Sequence, residues 1–297
     1  MGPLLLLAGC FNVDRVLAVA GNGGGSADGA SASAWVPFGS PQLVAGLRTE
    51  LDDIQDPSLT ADELEIFFTS PTSGVNDIWA SRRASSDGAW GTSALVAELS
   101  SSGVDEDPTV SADGLTIHLA SDRAGAGMRI YVARRPARDQ PWSAPLPLSD
   151  LGPSVADVAP TIDDASVYLV FASLRGTATD LHLYATSRAG ANDTIDFWSV
   201  PKALAAVNSA WQDRDPALFD RTLGLVFASR RTDQGRTSDL FHTSRANTGS
   251  DFTAAPQRID ELSTDTGEGD PWLSDDGHHI YFMSDRSGSS RIYEARR

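Results

Sequence analysis

A single cysteine, Cys10, stands among 297 residues, so no disulfide can form within the chain whatever compartment it reaches. Beyond the N-terminal residues no segment approaches the roughly 20 apolar residues that a membrane-spanning helix requires. Positive charge is scarce: 23 Lys and Arg against 40 Asp and Glu leave a net charge of −17, which opposes nucleic acid and anionic lipid surfaces as partners. Catalytic motifs are missing as well. There is no Gly-x-Ser-x-Gly elbow, no Gly-rich phosphate loop with Lys, and no His-Glu-x-x-His pair. His118, His182, His242, His278 and His279 show no spacing that would gather three on one metal. Nucleophilic catalysis has no candidate.

What the chain does contain is a repeat. Asp56-Pro57, Asp107-Pro108, Ala159-Pro160, Asp215-Pro216 and Asp270-Pro271 each precede a Ser by a fixed 13 residues from the Pro: Ser70, Ser121, Ser173, Ser229 and Ser284. The intervals between prolines are 51, 52, 56 and 55 residues, so the variation lies outside this shared block, as loops allow. Residues 270–297 show the unit most plainly. Short strand-type runs are separated by Asp276-Gly277 and Ser287-Gly288, the residues that tight hairpins need, which predicts antiparallel neighbours.

A fourth strand per unit is predicted where an aromatic opens a stretch and an apolar residue closes it: Trp90 to Leu99, Trp142 to Leu151, Trp198 to Val207 and Phe252 to Leu262. The final unit has none after its third strand, while Phe38 to Leu47 matches the pattern at the other end of the chain. The N-terminal copy is therefore expected to complete the last unit, with Phe38, Leu43 and Leu47 buried, so that no strand edge stays open. The unit resembles the repeat of TolB-type, WD-like β-propellers, with a DPxxSPDGxxIxFxSDRxGxxDIW-like signature; the nearest copies are DPTVSADG with ASDRAG and DPWLSDDG with MSDRSG. All five lack the Pro of the Ser-Pro-Asp-Gly turn. The expected fold is all-β: a five-bladed β-propeller of four-stranded antiparallel blades over residues 36–297. The aromatics of the second and third strands are read as packing between blades. Propellers host unrelated functions, so the resemblance speaks to fold more than to activity.

Antiparallel order places the Asp-Pro pairs and the Ser-Asp-Arg turns on one face and the Asp-Gly turns with the long third-to-fourth loops on the other; the irregular residues favour the first face for function. Asp56, Asp107, Asp215 and Asp270 occupy one repeat position and are expected near the axis. They have two readings: each carboxylate accepts turn amides and fixes the start of its strand, or the ring takes a hard cation such as Ca²⁺. Asp122-Arg123 and Asp285-Arg286 read as salt bridges within turns. Arg175, Arg230 and Arg231 depart from that turn pattern and are a candidate partner patch. Trp211, in the connection to blade 4, and Trp272, where the other copies carry Ser58, Thr109, Thr161 or Ala217, are candidates for stacking on a sugar or an inserted side chain.

The N-terminus carries its own signal. Leu7-Ala8-Gly9-Cys10 after a run of leucines resembles a bacterial lipobox, which implies a lipid on Cys10. Only nine residues precede that cysteine and none is Lys or Arg, which a start further upstream would explain. Residues 1–10 are thus read as a lipoprotein signal and residues 11–35, rich in Gly, Ser and Ala, as a tether. The expected role is a non-enzymatic binding or scaffolding module of the bacterial envelope, anchored to the membrane, facing the periplasm or the cell surface and taking a protein partner. The competing expectation is a carbohydrate-binding or glycoside-hydrolase-like propeller.

Overall fold

The structure, a computed structural model, describes residues 35–47, 53–72, 74–148, 151–152, 154, 156–176, 179–190 and 198–297. The expectations for Cys10 and for nearly all of the tether lie outside these residues. Five four-stranded antiparallel sheets form the five blades of a β-propeller. The ring-closing strand β1 (Gln42–Leu43) comes first in the chain. Blade 1 holds β2 (Gln55–Leu59), β3 (Glu65–Ser70), β4 (Asp77–Arg82) and β5 (Ala94–Leu95). Blade 2 holds β6 (Asp105–Val110), β7 (Thr116–Ser121), β8 (Arg129–Arg134) and β9 (Leu146–Pro147). In blade 3 these become β10 (Asp157–Ile162), β11 (Tyr168–Ser173), β12 (His182–Ser187) and β13 (Lys202–Ala203). Blade 4 has β14 (Asp213–Phe219), β15 (Gly224–Ser229), β16 (Asp239–Ser244) and β17 (Gln257–Arg258), and β18 (Glu268–Leu273), β19 (His279–Ser284) and β20 (Arg291–Arg296) belong to blade 5.

Blade 5 is completed from the other end of the chain, β1 pairing antiparallel with β20 through Gln42 opposite Glu294 and Leu43 opposite Tyr293. Phe38, Val44 and Leu47 are buried at this seam, but Leu43 is 52% exposed, against expectation. The outermost strand has no neighbour beyond it, and both of its residues, Gln42 and Leu43, are exposed. The second strands are buried on both faces: Ile66, Phe67 and Phe68 run in sequence without contact with water, because each inner strand is sandwiched between two neighbouring blades. The core follows that geometry. Phe67 of blade 1 packs with Leu119, Tyr131 and Trp142 of blade 2, so the recurring aromatics fill the gaps between blades.

A repeated arginine fixes the outer end of every blade. Arg83, Arg135, Arg188, Arg245 and Arg297 follow their third strands and lie over Trp90, Trp142, Trp198, Phe252 and Phe38, with 4.2, 4.3, 4.7, 4.9 and 4.6 Å from guanidinium carbon to ring centre. Each also donates from Nε to a carbonyl of its own blade's first hairpin: Glu63, Gly114, Ser166, Thr222 and Gly277, at 2.5–2.8 Å. One planar cation thus ties the third strand, the first hairpin and the aromatic that opens the fourth strand. Such contacts contribute about 0.5–2 kcal/mol each, more where water is excluded.

The seam between blades 5 and 1 carries a further network. His279 is buried on β19, its Nδ1 2.8 Å from Glu63 Oε2 of blade 1 and its Nε2 2.8 Å from Glu294 Oε2 of β20. Arg83 bridges Glu63 at 3.1 Å and donates to the Tyr281 hydroxyl at 3.2 Å, and Arg296 lies 4.0 Å from Glu63. Burial alone lowers the His279 pKa, yet the hydrogen bonds to Glu294 and Glu63 raise it above its ordinary 6.5. The hydrogen bond from His279 holds Glu294 below its ordinary range. His279 therefore contributes stability that is complete below pH 6.5 and lost as the pH rises through its elevated folded value. Glu294 contributes above its ordinary range and loses that share as the pH falls through its depressed value. His279→Gln should lower stability by about 1.5–3 kcal/mol where both charges are present. The deficit should shrink as the pH is raised past neutrality. Thermal melts of both proteins across pH 5 to 9 test this, and a pH-independent difference would contradict it.

Candidate functional site

Each first strand is interrupted at its Asp-Pro pair. The ladder with the second strand shifts register between Gln55 and Ser58, Glu106 and Thr109, Val158 and Thr161, Arg214 and Ala217, and Gly269 and Trp272. The bulged residue adopts the left-handed conformation, with φ of 55° at Asp56, 54° at Asp107, 48° at Ala159, 51° at Asp215 and 51° at Asp270. Aspartate tolerates that region better than most residues, and the following proline has no N–H to leave unpaired in the interrupted ladder. The pairs therefore lie within the strands, close to the axis, and not at the strand starts where the sequence suggested them.

The bulge turns one backbone N–H toward the neighbouring blade, and the aspartates answer it in rotation. Asp56 Oδ2 accepts from the Asp107 amide at 3.3 Å, Asp107 Oδ2 from Ala159 at 2.8 Å, Asp215 Oδ2 from Asp270 at 3.4 Å, and Asp270 Oδ2 from Asp56 at 3.3 Å. Ala159 has no carboxylate, so the fifth link is missing. The acceptors thus serve the next blade's amides and not, as expected, those of their own turns. Arg214 leans in beside the gap, its Nε 2.6 Å from Asp215 Oδ2 and Nη2 3.2 Å from Asp270 Oδ1.

Burial dominates the electrostatics. It raises Asp215, opposed by Arg214 and assisted by Asp270, to about 7, and it raises Asp270, with the Asp56 charge added and Arg214 opposing, to about 7. Asp56, through burial and the charge of Asp107, and Asp107, through burial and the charge of Glu106, stand well above the ordinary 3.8. Arg214 is held well above its ordinary range by Asp215. Among the described residues no group of three or more His, Cys, Asp or Glu side chains is arranged to hold a metal ion. The calcium reading of the ring finds no ligand set here, because the carboxylates point around the ring at neighbouring amides and a guanidinium supplies the positive charge.

A funnel of about 370 Å³ runs along the axis from these bulges to the Asp-Gly turns. This cavity therefore opens on the second face, and not on the one favoured from sequence. Its walls include Pro57, Pro108, Pro160, Pro216 and Pro271, with Phe219 and Trp272, while Asp163, Asp164, Asp275 and Arg221 lie toward the turns. Trp272 is half-buried and packs edge-on against Tyr281 at 5.8 Å. Trp211 lies elsewhere, 41% exposed and against Gly235 of the blade-4 turn.

The remaining candidates separate by function in the scaffold. Arg123, Arg175, Arg231 and Arg286 occupy one repeat position, two residues after the Ser. Each donates from Nε to that Ser at 2.8–3.0 Å and from a terminal nitrogen to Leu99, Leu151, Val207 or Leu262 in the connection from the preceding blade. Three pair with an acid that opens the first strand, Asp105 at 2.5 Å, Asp157 at 2.8 Å and Asp213 at 2.6 Å; Arg286 stands 3.6 Å from Glu268. The Asp122-Arg123 and Asp285-Arg286 pairs are thus not bridges within a turn, since each arginine reaches back to the strand acid. Arg175 and Arg231, irregular beside their immediate neighbours, follow the same rule. Arg230 alone of the three remains exposed.

Asp105, Asp157, Asp213 and Glu268 escaped sequence reading. They precede the bulge residue by two positions and change together with the arginine: blade 1 has Ile54 and Thr72 instead, and Ser70 bonds to Thr72 at 2.9 Å. That joint loss was the available signal.

Solved structures share this architecture. TolB from Acinetobacter baumannii aligns with a TM-score of 0.51 at 16% identity, covering 83% of this chain and 55% of that one. A thermostable family-43 glycoside hydrolase aligns at 0.58 and 12% identity, covering 86% and 91%. The catalytic domain of the family-62 α-L-arabinofuranosidase from Coprinopsis cinerea aligns at 0.57 and 10% identity, covering 88% and 96%. These identities show a shared fold. The chain spans little more than half the length of the Acinetobacter protein. No protein-family model matches the chain, and no curated protein matches it significantly.

The ring yields a test. An aspartate with a raised pKa costs stability increasingly as the pH climbs above its ordinary value, because the folded state must release a proton it holds more tightly. Asp107→Asn keeps the acceptor for Ala159 and removes the charge, so its melting temperature should exceed that of the wild type at pH 8 and approach it at pH 4. Asp107→Ala orphans the amide and should lose about 1–3 kcal/mol. Equal melting of the Asn and Ala variants at pH 8 would contradict the amide-acceptor role.

Proposed function

We propose that the chain is a non-enzymatic binding module of the bacterial cell envelope, held to a membrane through a lipid on Cys10, that receives a segment of a protein partner in its axial funnel. The composition of the funnel carries this reading. Five prolines, Phe219 and Trp272 offer a stiff, largely apolar wall that already has its shape, the kind of site that binds at small entropic cost. The acids at its floor are occupied. A glycoside hydrolase needs two carboxyl groups, free to act as acid and base or nucleophile, about 5–10 Å apart across an open cleft. Here the axial aspartates are engaged with neighbouring amides, two of them also with Arg214. The fold shared with TolB supports a binding role, and the lipobox-like Leu7-Ala8-Gly9-Cys10 supports the envelope.

A carbohydrate ligand is the second reading. It draws on Trp272 in the funnel wall, since an aromatic face stacks well on a sugar, and on the almost full length shared with the family-43 and family-62 structures.

Affinity capture from native envelope, with wild type and Trp272→Ala side by side, separates these readings. A specific protein retained by the wild type and weakened about tenfold or more in the variant, as expected for removal of a buried aromatic anchor, supports the proposal. Release of reducing sugar from arabinan or xylan, or saturable binding of their oligosaccharides without a captured protein, would replace it with the second reading.

The anchor is tested separately by expression from the natural upstream region. Cys10→Ser should move the protein from the membrane to the soluble fraction, because a single anchor and a tether without a basic cluster leave nothing else to hold it. An unmodified Cys10 in the mass spectrum of the wild type would overturn the lipid assignment.

A further inference from the structure

The protein repels anions as a whole, with a net charge of −17, yet one recess gathers arginine. It lies away from the funnel, at the Ser-x-Arg side of blades 4 and 5, and holds about 240 Å³. Arg214, Arg230 and Arg236 line it with Asp285 as the sole carboxylate; Met283 and Ser238 complete the part of the wall that matters here.

The three arginines differ in commitment. Arg214 already neutralises Asp215 and Asp270. Arg230 and Arg236 are exposed, and neither guanidinium forms an ion pair or hydrogen bond among the described residues. Their backbones are engaged instead: the Arg230 amide donates to the Gln212 carbonyl and its carbonyl accepts from Gly235, and the Arg236 amide donates to Asp233 Oδ1. Neither occupies one of the two repeat positions at which arginines staple the blades. At the place of Arg230 the other blades carry Pro71, Asp122, Leu174 and Asp285, none of them basic. Nine arginines staple the blades at those two positions and these two do not; the Arg236 charge adds only a small part to what the Thr237 hydrogen bonds do in holding Asp233 below its ordinary range.

The turn that carries them is held in place. Gly235 has φ of 88°, and a Cβ there would lie 2.9 Å from the Trp211 ring, so glycine is required both by the backbone and by the indole packed on it. Trp211 thereby supports the chain segment from which Arg236 projects. In the wall beside it, Gln212 Oε1 is buried without a partner.

We propose that this recess is a binding site for a small organic carboxylate, with the guanidinium groups of Arg230 and Arg236 as its ligands. Guanidinium forks match the two oxygens of a carboxylate, and such charge-assisted pairs are the stronger class of hydrogen bond. Ser238 adds a hydroxyl and Met283 an apolar contact for the carbon skeleton. The volume suits a group the size of a side chain or a single sugar ring, so an aliphatic dicarboxylate and a uronic acid present the same chemistry. The site stands apart from the funnel, and its failure would leave the partner reading untouched.

Calorimetric titration of the whole protein with succinate, glucuronate, inorganic phosphate and glucose decides the matter. Saturable binding of succinate or glucuronate, weakened about tenfold or more by R230Q and by R236Q and falling with salt, supports the proposal. Preference between the two acids tells an aliphatic from a sugar source. Lys202→Gln, on the exposed outer strand of blade 3, should bind as the wild type does, and melting temperatures of R230Q and R236Q within a degree or so of the wild type, as for surface changes, show that the fold is intact. Absence of saturation by both acids at about 10 mM, binding of glucose as strong as that of glucuronate, tighter binding of phosphate than of either acid, or undiminished affinity in both arginine variants would each overturn it.

Discussion

At the bulge of four of the five first strands a backbone N–H is turned out of its own sheet, and the aspartate of the preceding blade is what satisfies it. A buried amide without an acceptor costs about 1–3 kcal/mol, so each of these blades depends on its neighbour for a bond it cannot make alone. The Asp-Pro pair resolves this with two residues. Aspartate accepts the left-handed backbone and supplies an acceptor; proline removes the donor that would otherwise follow. Collecting carboxylates at the axis raises their proton affinity, and where Ala159 leaves a gap the single arginine Arg214 enters to offset the charge.

Outward from the axis the same logic passes to arginine. One set joins the first strands of blades 2 to 5 to the connection from the blade before, and a second set joins third strand, hairpin and aromatic at the periphery of all five. Of the 23 basic residues 22 are arginine, and Lys202 is the exception. An ammonium group could not replace them. The positions ask for a flat cation that lies on a ring while donating along its edge to carbonyl, hydroxyl and carboxylate at once.

The architecture was legible because a fixed 13-residue block repeated five times leaves little freedom of topology, and because an aromatic-to-apolar stretch without a home, Phe38 to Leu47, matched a strand missing at the other end. The site was less so. Asp56, Asp107, Asp215 and Asp270 could be placed at the axis, but a linear pattern does not tell whether a carboxylate faces its fellows or an amide of the next blade. Arg175 and Arg231 looked irregular because the comparison was made with their immediate neighbours, Leu174 and Arg230, and the partners that matter, Asp157 and Asp213, lie 18 residues earlier. Leu43 shows the smaller error: apolar character placed it inside, and an outermost strand with no neighbour beyond it leaves both its residues exposed.

Closure by β1 also imposes an order of assembly. Phe38 meets Glu261, 223 residues further along, and β1 waits for β20 before it can pair at all. With synthesis proceeding at roughly 5–20 residues per second, that strand stays without its partner for at least ten seconds or so while blades 1 to 4 emerge and pack in turn. Until then the nascent ring has two raw edges, one on blade 1 and one on whichever blade is newest. A chaperone or a secretion apparatus that keeps the chain extended would spare it this interval, and the finished protein, once shut, reopens only by giving up contacts at both ends of its sequence together.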